Sequence, residues 1–352
     1  MDITPYLRLL VEKQGSDLHF TVGAQVKLNI EGKLTSVGKT SLTAEMTQAA
    51  AYGVMNAEQA AGFERNWEAD FAIALADGSG RFRVNVFRQR GDVAMCLRRI
   101  PIRIPTLEEM ELPEVLGDLV MQKRGLILMV GATGSGKSTT LAAMINHRNH
   151  QSASHVLTIE DPVEFSHPNV KCIVNQREVG VDTQSYRHAL RSALREAPDV
   201  IFLGEIRDRE TMEAALELCN TGHLCLSTMH ANNANQALER VINLFPLDNR
   251  RQLFLDLAAN VRAIISQRLV HGPNNKRCAA IEIMINTPHI ADLILKGELD
   301  RIKDAMDSSG FKGMQTFDLA LYNLFKEGRI ELEEALRNAD SRTNLEAKIN
   351  FS

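Results

Sequence analysis

Residues Gly131, Ala132, Thr133, Gly134, Ser135, Gly136, Lys137 and Ser138 spell GATGSGKS, filling every fixed position of G-x-x-x-x-G-K-[ST]. A glycine turn running into a helix N-terminus aims backbone N–H groups and the positive helix end at one point, which cradles a phosphate. Lys137 is placed to reach the β- and γ-phosphates of a nucleoside triphosphate, and Ser138 to hold Mg²⁺. Phosphoryl transfer further needs a second Mg²⁺ contact, a group that orients water, and positive charge for the transition state. Asp199–Asp208 reads DVIFLGEIRD, an apolar strand that delivers Glu205 just beyond its C-terminal end, where open α/β sheets bind ligands. Gly204 stands where such strands usually carry an aspartate. Thr158–Glu164 reads TIEDPVE and offers Glu160, Asp161 and Glu164 near the same sheet edge, as catalytic groups or as helix-capping and solvated acids. His223 and His230 flank the strand Leu224–Thr228. At such a position a histidine senses the γ-phosphate, braces a catalytic acid, or is structural. Arg187, Arg191 and Arg195 recur every four residues, a stripe on one helix face that is either functional or solvated.

The elements around these residues have readable patterns. Leu126–Val130 is an apolar run of the kind that makes a buried parallel strand, and Thr139–His147 continues from the glycine loop as a helix. His155–Glu160, Val200–Leu203, Leu224–Thr228 and Gln267–Val270 are further strands. Their alternation with helices predicts a parallel sheet covered on both faces. From Pro288 the pattern is helical to about Ala339, and a polar tail follows. The chain divides near residue 100. Before that point strands are expected at Asp17–Val22, Val26–Ile30, Phe71–Leu75, Arg81–Arg88 and Val93–Arg99, with turns at Glu31-Gly32 and Asp77-Gly78. Helices are expected at Pro5–Lys13 and Ala44–Arg65, making a small α+β domain. Ile100–Pro105 is punctuated by prolines and reads as a linker.

Composition narrows the function classes. At 352 residues two domains are expected. The 44% hydrophobic and 24% charged content is that of a soluble globular protein, and no apolar stretch approaches the roughly 20 residues a bilayer span needs. The N-terminal MDITPYLRLL has no signal-peptide pattern. Cys96, Cys172, Cys219, Cys225 and Cys278 form no C-x-x-C pair, which argues against a zinc ribbon or a disulfide framework and suits a reducing compartment, the cytoplasm. A net charge of −4 without a lysine-rich block signals no nucleic-acid partner.

The succession GATGSGKST, TIEDPVE, DVIFLGEIRD and TGHLCLSTMH resembles the Walker A, Asp-box, atypical Walker B and His-box series of the secretion ATPases. Within them it is most similar to the type IV pilus retraction ATPases of the PilT/PilU kind. Gly15–His19 (GSDLH), Gly80–Asn85 (GRFRVN) and Gly313–Asp318 (GMQTFD) extend the likeness over essentially the whole chain. The resemblance implies a PAS-like domain over 1–100, a linker over 101–112, a RecA-like ATPase core over 113–285 and a helical region over 286–352. It implies a homo-hexamer that binds ATP with Mg²⁺, with Gly131 to Thr139, Glu160 and His223 around the nucleotide and Ser138 and Glu205 at the metal. Glu164 would activate water, or exchange that role with Glu205. His230 would act beside them, and Arg83 and Arg98 would bring charge from the first domain. The partners implied are an inner-membrane platform protein, with peripheral membrane association at the cytoplasmic face, and a paralogous main retraction motor. Two departures favour the accessory, PilU-type paralogue. His289–Gly297 reads HIADLILKG where the self-sufficient motors are similar in carrying A-I-R-N-L-I-R-E, and Ala231-Asn232-Asn233 replaces T-x-S-A. The alternatives are a self-sufficient PilT-type motor, an assembly ATPase of pilus extension or type II secretion, and a non-catalytic ATP-binding ring subunit. The assembly ATPases commonly carry a four-cysteine insertion that this chain lacks. A helicase is disfavoured by the acidic charge, and an ABC-type subunit by the missing L-S-G-G-Q.

Overall fold

The computed structural model describes residues 1–30, 32–101, 103–273 and 277–351. Glu31 of the expected Glu31-Gly32 turn and Ile102 of the expected linker therefore lie outside the described residues. The chain forms two compact units, Met1–Arg103 with Glu164–Ser166, and Ile104–Val163 with His167–Ser352.

The first unit runs α1 (Thr4–Glu12), β1 (Asp17–Phe20), β2 (Val26–Ile30), β3 (Lys33–Val37), α2 (Ala44–Tyr52), α3 (Ala57–Asn66), β4 (Glu68–Ala74), β5 (Arg81–Gln89) and β6 (Asp92–Ile100). The strands make one antiparallel sheet in the order β3-β2-β1-β6-β5-β4. Along β5, buried Phe82, Val84 and Val86 alternate with half-buried Arg81, Arg83 and Asn85. The buried set packs with Leu7, Leu10, Ala51 and Phe63 of the helices, so one sheet face is core and the other is left for polar groups. The single helix expected over Ala44–Arg65 is two helices. Asn56 Oδ1 accepts the Gln59 N–H at 2.8 Å while Gln59 Oε1 accepts the Asn56 N–H at 2.9 Å, a reciprocal cap that restarts the helix.

The second unit runs α4 (Val115–Val120), β7 (Gly125–Val130), α5 (Lys137–Gln151), β8 (His155–Glu160), β9 (Ile173–Glu178), α6 (Tyr186–Ala193), β10 (Val200–Leu203), α7 (Arg209–Asn220), β11 (Leu224–Met229), α8 (Ala234–Asn243), α9 (Arg250–Asn260), β12 (Val261–His271), β13 (Arg277–Ile285), α10 (Pro288–Lys296), α11 (Ile302–Ser308), α12 (Phe317–Lys326), α13 (Leu332–Asn338) and α14 (Arg342–Phe351). Its sheet has the order β13-β12-β7-β11-β10-β8-β9. The strands are parallel except β13, which returns antiparallel to β12. The expected all-parallel sheet is thus mixed at one edge, and β9 and β13 are additions to the expected strands. Side chains of β7 alternate between two cores, Leu126, Leu128 and Val130 on one face and Ile127 and Met129 on the other. This period of two under helices on both faces is why the strand reads as continuously apolar. Leu107 and Leu112, inside the expected linker, are buried in the second of these cores. The expected polar tail is helical, since α14 buries Leu345 against Val270 and Phe317.

All five cysteines are free, and Cys172, Cys219, Cys225 and Cys278 are buried. Among the described residues no helix is long and apolar enough to cross a membrane.

Candidate active site

Parallel pairing puts the C-terminal ends of β7, β8, β10 and β11 on one edge of the sheet, and the chemistry-bearing segments leave from there. After β7, the loop Gly131–Gly136 turns into α5, with Ala132, Thr133 and Gly134 exposed at its crest and Ser138 and Thr139 half-buried in the first turn. Gly136 has φ +88°, and a Cβ there would sit 2.7 Å from Gln267 Nε2, so backbone conformation and space both demand glycine. Lys137 Nζ donates to Gly131 O at 2.9 Å and to Ala132 O at 2.8 Å, which holds the ammonium over the loop. Ser135 is buried, and its Oγ has no hydrogen-bond partner among the described residues. The exposed crest of the loop, with the Lys137 ammonium held over it, is the cradle that fits a nucleotide phosphate.

Gln267, on the neighbouring β12, fastens this loop and was not among the expected site residues. Its Oε1 accepts the Thr140 hydroxyl at 2.7 Å and its Nε2 donates to Ser135 O at 2.8 Å. It is buried beside Ser266, after the apolar Ala263–Ile265 run of the strand. A buried polar residue after such a run is the signal that could have found it.

After β10, Glu205 is half-buried and meets an imidazole and a guanidinium. His230 Nε2 lies 3.2 Å from its Oε1, and Arg207 Nε lies 2.7 Å from its Oε2. The hydrogen bond to Glu205 raises the Arg207 pKa. Thr228 Oγ1 donates to Gly204 O at 2.6 Å and the Ile206 N–H donates to Thr228 O at 3.0 Å, so the turn bearing Glu205 is stitched to the end of β11, just before His230. A Cβ on Gly204 would meet the Tyr186 hydroxyl at 2.8 Å and Glu160 Cα at 3.3 Å. This is why an aspartate does not end the strand: Tyr186, from α6, fills its place. Burial, reinforced by the charges of Asp161, Glu160 and Glu205, raises the Tyr186 pKa, with Arg207 opposing. Tyr186 is therefore a neutral hydroxyl among three acids, and the sequence carries no signal of it.

Glu160, the last residue of β8, is buried and accepts from Thr158 Oγ1 at 2.6 Å and Gln176 Nε2 at 3.3 Å. Asp161 and Glu164 follow it, both exposed. Glu164 groups with the first unit, while Val163, its neighbour, donates its N–H to Glu178 Oε2 at 3.1 Å. Two cavities, of about 450 Å³ and about 310 Å³, share Gly131, Ala132 and Asn232. His230, Gln236 and Arg240 line the first, and Gln267, Arg268 and Asn338 the second. His230 is thus brought to the phosphate loop.

His223 is placed differently from the expectation. It precedes β11, and the six-residue strand carries the chain from it to Met229, about 20 Å at the usual rise. Its carbonyl accepts the Gly125 N–H at 3.0 Å, at the start of β7, so it stands at the edge opposite the phosphate loop of its own chain. Its ring Nδ1 lies 3.0 Å from Leu218 O and 3.1 Å from Thr221 Oγ1. The arginine stripe is also interrupted. α6 ends at Ala193, before Ala197 at φ +50° and Pro198, so Arg195 is off the helix. Arg187 pairs with Glu210 at 2.7 Å, and it and Arg191 line a groove with Glu213 and Glu217.

In the first unit, Arg83 and Arg98 stand directly opposite one another on β5 and β6. Like charges so placed repel. Each is held by an aspartate: Arg83 makes a two-pronged pair with Asp70, and Arg98 Nε lies 2.8 Å from Asp17 Oδ1. Burial works to raise the Asp17 pKa, but hydrogen bonds from Arg98, Ser16 and Asn29 outweigh it and the net shift is downward. Among the described residues no three His, Cys, Asp or Glu side chains form a metal cluster.

A model of the family described as Type II/IV secretion system protein matches residues 2–344. The chain is 53% identical over 350 residues, 99% of its own length and 91% of the relative's, to a Pseudomonas aeruginosa protein named type IV pilus ATPase PilU. It is 40% identical over 339 residues, 96% of its length and 98% of the relative's, to that organism's type IV pilus retractation ATPase PilT. A crystal structure of the pilus retraction motor PilT with bound ADP is similar over 99% of both chains, with a TM-score of 0.92 and 42% identity.

Proposed function

We propose, because this chain belongs to the type II/IV secretion system protein family, that it is an ATPase whose hydrolysis drives type IV pilus retraction, as the PilU-type paralogue of a main motor. The observation that carries the reading is the Glu205–His230 pair, 3.2 Å apart on the sheet edge that also bears the phosphate loop. The loop N–H groups and Lys137 bind the phosphates. Ser138 and Glu205 would hold Mg²⁺, which when bound neutralises phosphate charge. Glu164 orients the attacking water, or Glu205 does so and the two exchange roles. His230 braces Glu205 and lies where the γ-phosphate is sensed.

Arg83 and Arg98 supply the rigid donors for transition-state charge, and each leaves its aspartate when the first domain closes on the nucleotide. Loss of phosphate removes the ligand that held closure, so the domains turn. In this reading residues 1–100 are the moving domain, 113–285 the ATPase core and 286–352 its helical extension. Six copies form a ring at the cytoplasmic face of the inner membrane, where successive hydrolysis turns a platform protein.

Steady-state phosphate release by the purified protein is the test. The wild type should turn over ATP, and Lys137→Ala should abolish release. Tight nucleotide binding without any release would make the chain a nucleotide-gated ring subunit instead.

A further inference from the structure

The motif Gly313–Asp318, conspicuous in sequence, lies outside the phosphate site, and its packing leads back to that site through one side chain. Arg268 follows the clamp residue Gln267 on β12 and lines the same cavity as Gly131, Thr133 and Ser135. Its guanidinium joins separate segments. Nη2 donates to Asn232 O at 3.3 Å, in the turn after His230, and lies 2.7 Å from Asp340 Oδ1. Nη1 donates to Asn338 O at 2.8 Å, at the end of α13. Its central carbon sits 3.9 Å from the centre of the Phe317 ring.

Each anchor is itself held. Gln315 exchanges backbone hydrogen bonds with Ile283 at 2.8 and 3.1 Å, and the Thr316 hydroxyl donates to Asp307 at 2.9 Å. The motif thereby fixes Phe317 at the start of α12. Asp318 Oδ1 accepts the Asp340 N–H at 2.8 Å, and Lys303 Nζ lies 3.4 Å from both aspartates. On the other side, the Ala231–Asn233 turn connects His230 to α8, whose Ala234 N–H donates to Glu282 Oε1 at 2.8 Å. A planar fork with donors in fixed directions suits such a junction, and a flexible ammonium does not.

We propose that Arg268 is a positioning residue for hydrolysis: it ties the turn after His230 to the C-terminal helices, so that those helices set where His230 stands against Glu205. The inference rests on the ATPase reading above. It makes the helical region a control element of the site, through which a partner docked on those helices changes turnover without touching nucleotide.

The experiment uses the full chain and fluorescent ADP as the probe. Arg268→Ala should lower kcat about ten- to a hundredfold, as displaced catalytic groups do, while ADP affinity stays within about threefold. Arg268→Lys should not restore kcat. Asp340→Asn keeps the shape of the anchor and removes its charge. It should lower kcat in the same direction, and the double variant should be no slower than Arg268→Ala. Amide exchange in the segment 228–236 should quicken in Arg268→Ala and in Asp340→Asn. Unchanged kcat with weakened ADP binding would make Arg268 a ligand contact and overturn the proposal. Multiplying effects, or unchanged exchange in Asp340→Asn, would overturn it as well. A wild type that turned over no ATP would remove the catalytic half together with the reading it rests on, and exchange in Asp340→Asn would still decide whether the tether exists.

Discussion

His230 Nε2 lies 3.2 Å from Glu205 Oε1, one residue having left β11 and the other β10 on the same sheet edge. The pair joins an acid that can hold Mg²⁺ or orient water to a ring that lines the cavity beside the phosphate loop. His230→Ala should lower the rate of phosphate release about a hundredfold with nucleotide affinity little changed, as measured by single-turnover hydrolysis and fluorescent-ADP titration. Loss of affinity with an intact rate would make His230 a binding residue only.

Gln267 gives the phosphate loop its second support. Gln267→Leu leaves the Ser135 carbonyl and the Thr140 hydroxyl without their partner, each unsatisfied buried group costing about 1–3 kcal/mol. Thermal unfolding should show the lower stability. Fluorescent ADP should bind more weakly, because the loop that presents its N–H groups is no longer clamped.

Gly204 and Tyr186 share one volume. Gly204→Ala puts a methyl group 2.8 Å from the Tyr186 hydroxyl, and overpacking of this kind costs about 1–3 kcal/mol. Tyr186→Phe in the same chain removes the oxygen and should recover most of the loss in a urea titration. A Gly204→Ala protein as stable as the wild type would contradict the packing.

Glu282 should make stability depend on pH. Burial pushes its carboxyl up to about 7, with the charge of Asp340 adding, against hydrogen bonds from Ala234 and Ser266 and the charge of Lys303. The folded chain therefore holds this proton more tightly than the unfolded chain. Its stabilising contribution is fully present below the ordinary glutamate value and is lost as pH rises through about 7. Glu282→Gln keeps the shape and removes the titration. Its melting temperature, relative to the wild type, should rise between about pH 5 and about pH 8. A constant difference over that range would contradict the buried acid.

What was legible in sequence was local or followed from strand ends. The phosphate loop declares itself because its strand, glycines and helix are contiguous. Glu205 and His230 follow because parallel strands deliver their C-terminal residues to one edge. The same rule places His223, which precedes its strand, at the other edge, and only strand direction separates the two histidines. Gln267 and Thr140 lie 127 residues apart, so their bond depends on β12 pairing with β7, which no local pattern states. Tyr186 enters from a helix whose register is set by packing. The arginine stripe reads as one helix face because helical spacing runs on through Arg195, whereas Ala197 and Pro198 end the helix first. The edge strands β3 and β9 are defined by their pairing partners rather than by strong local patterns, whereas β13 carries an apolar, isoleucine-rich run, Ala279–Ile285, that a strand reading could have found.

The most direct measurement is live imaging of fluorescently labelled pili in cells where this chain is the only retraction-type ATPase with an intact phosphate loop. A main motor whose phosphate loop is dead should be supplied beside it. Retraction should occur with that partner, stop when this chain carries Lys137→Ala, and be absent without the partner. Static pili with the partner present would contradict a retraction motor, and full retraction without any partner would contradict the paralogue assignment.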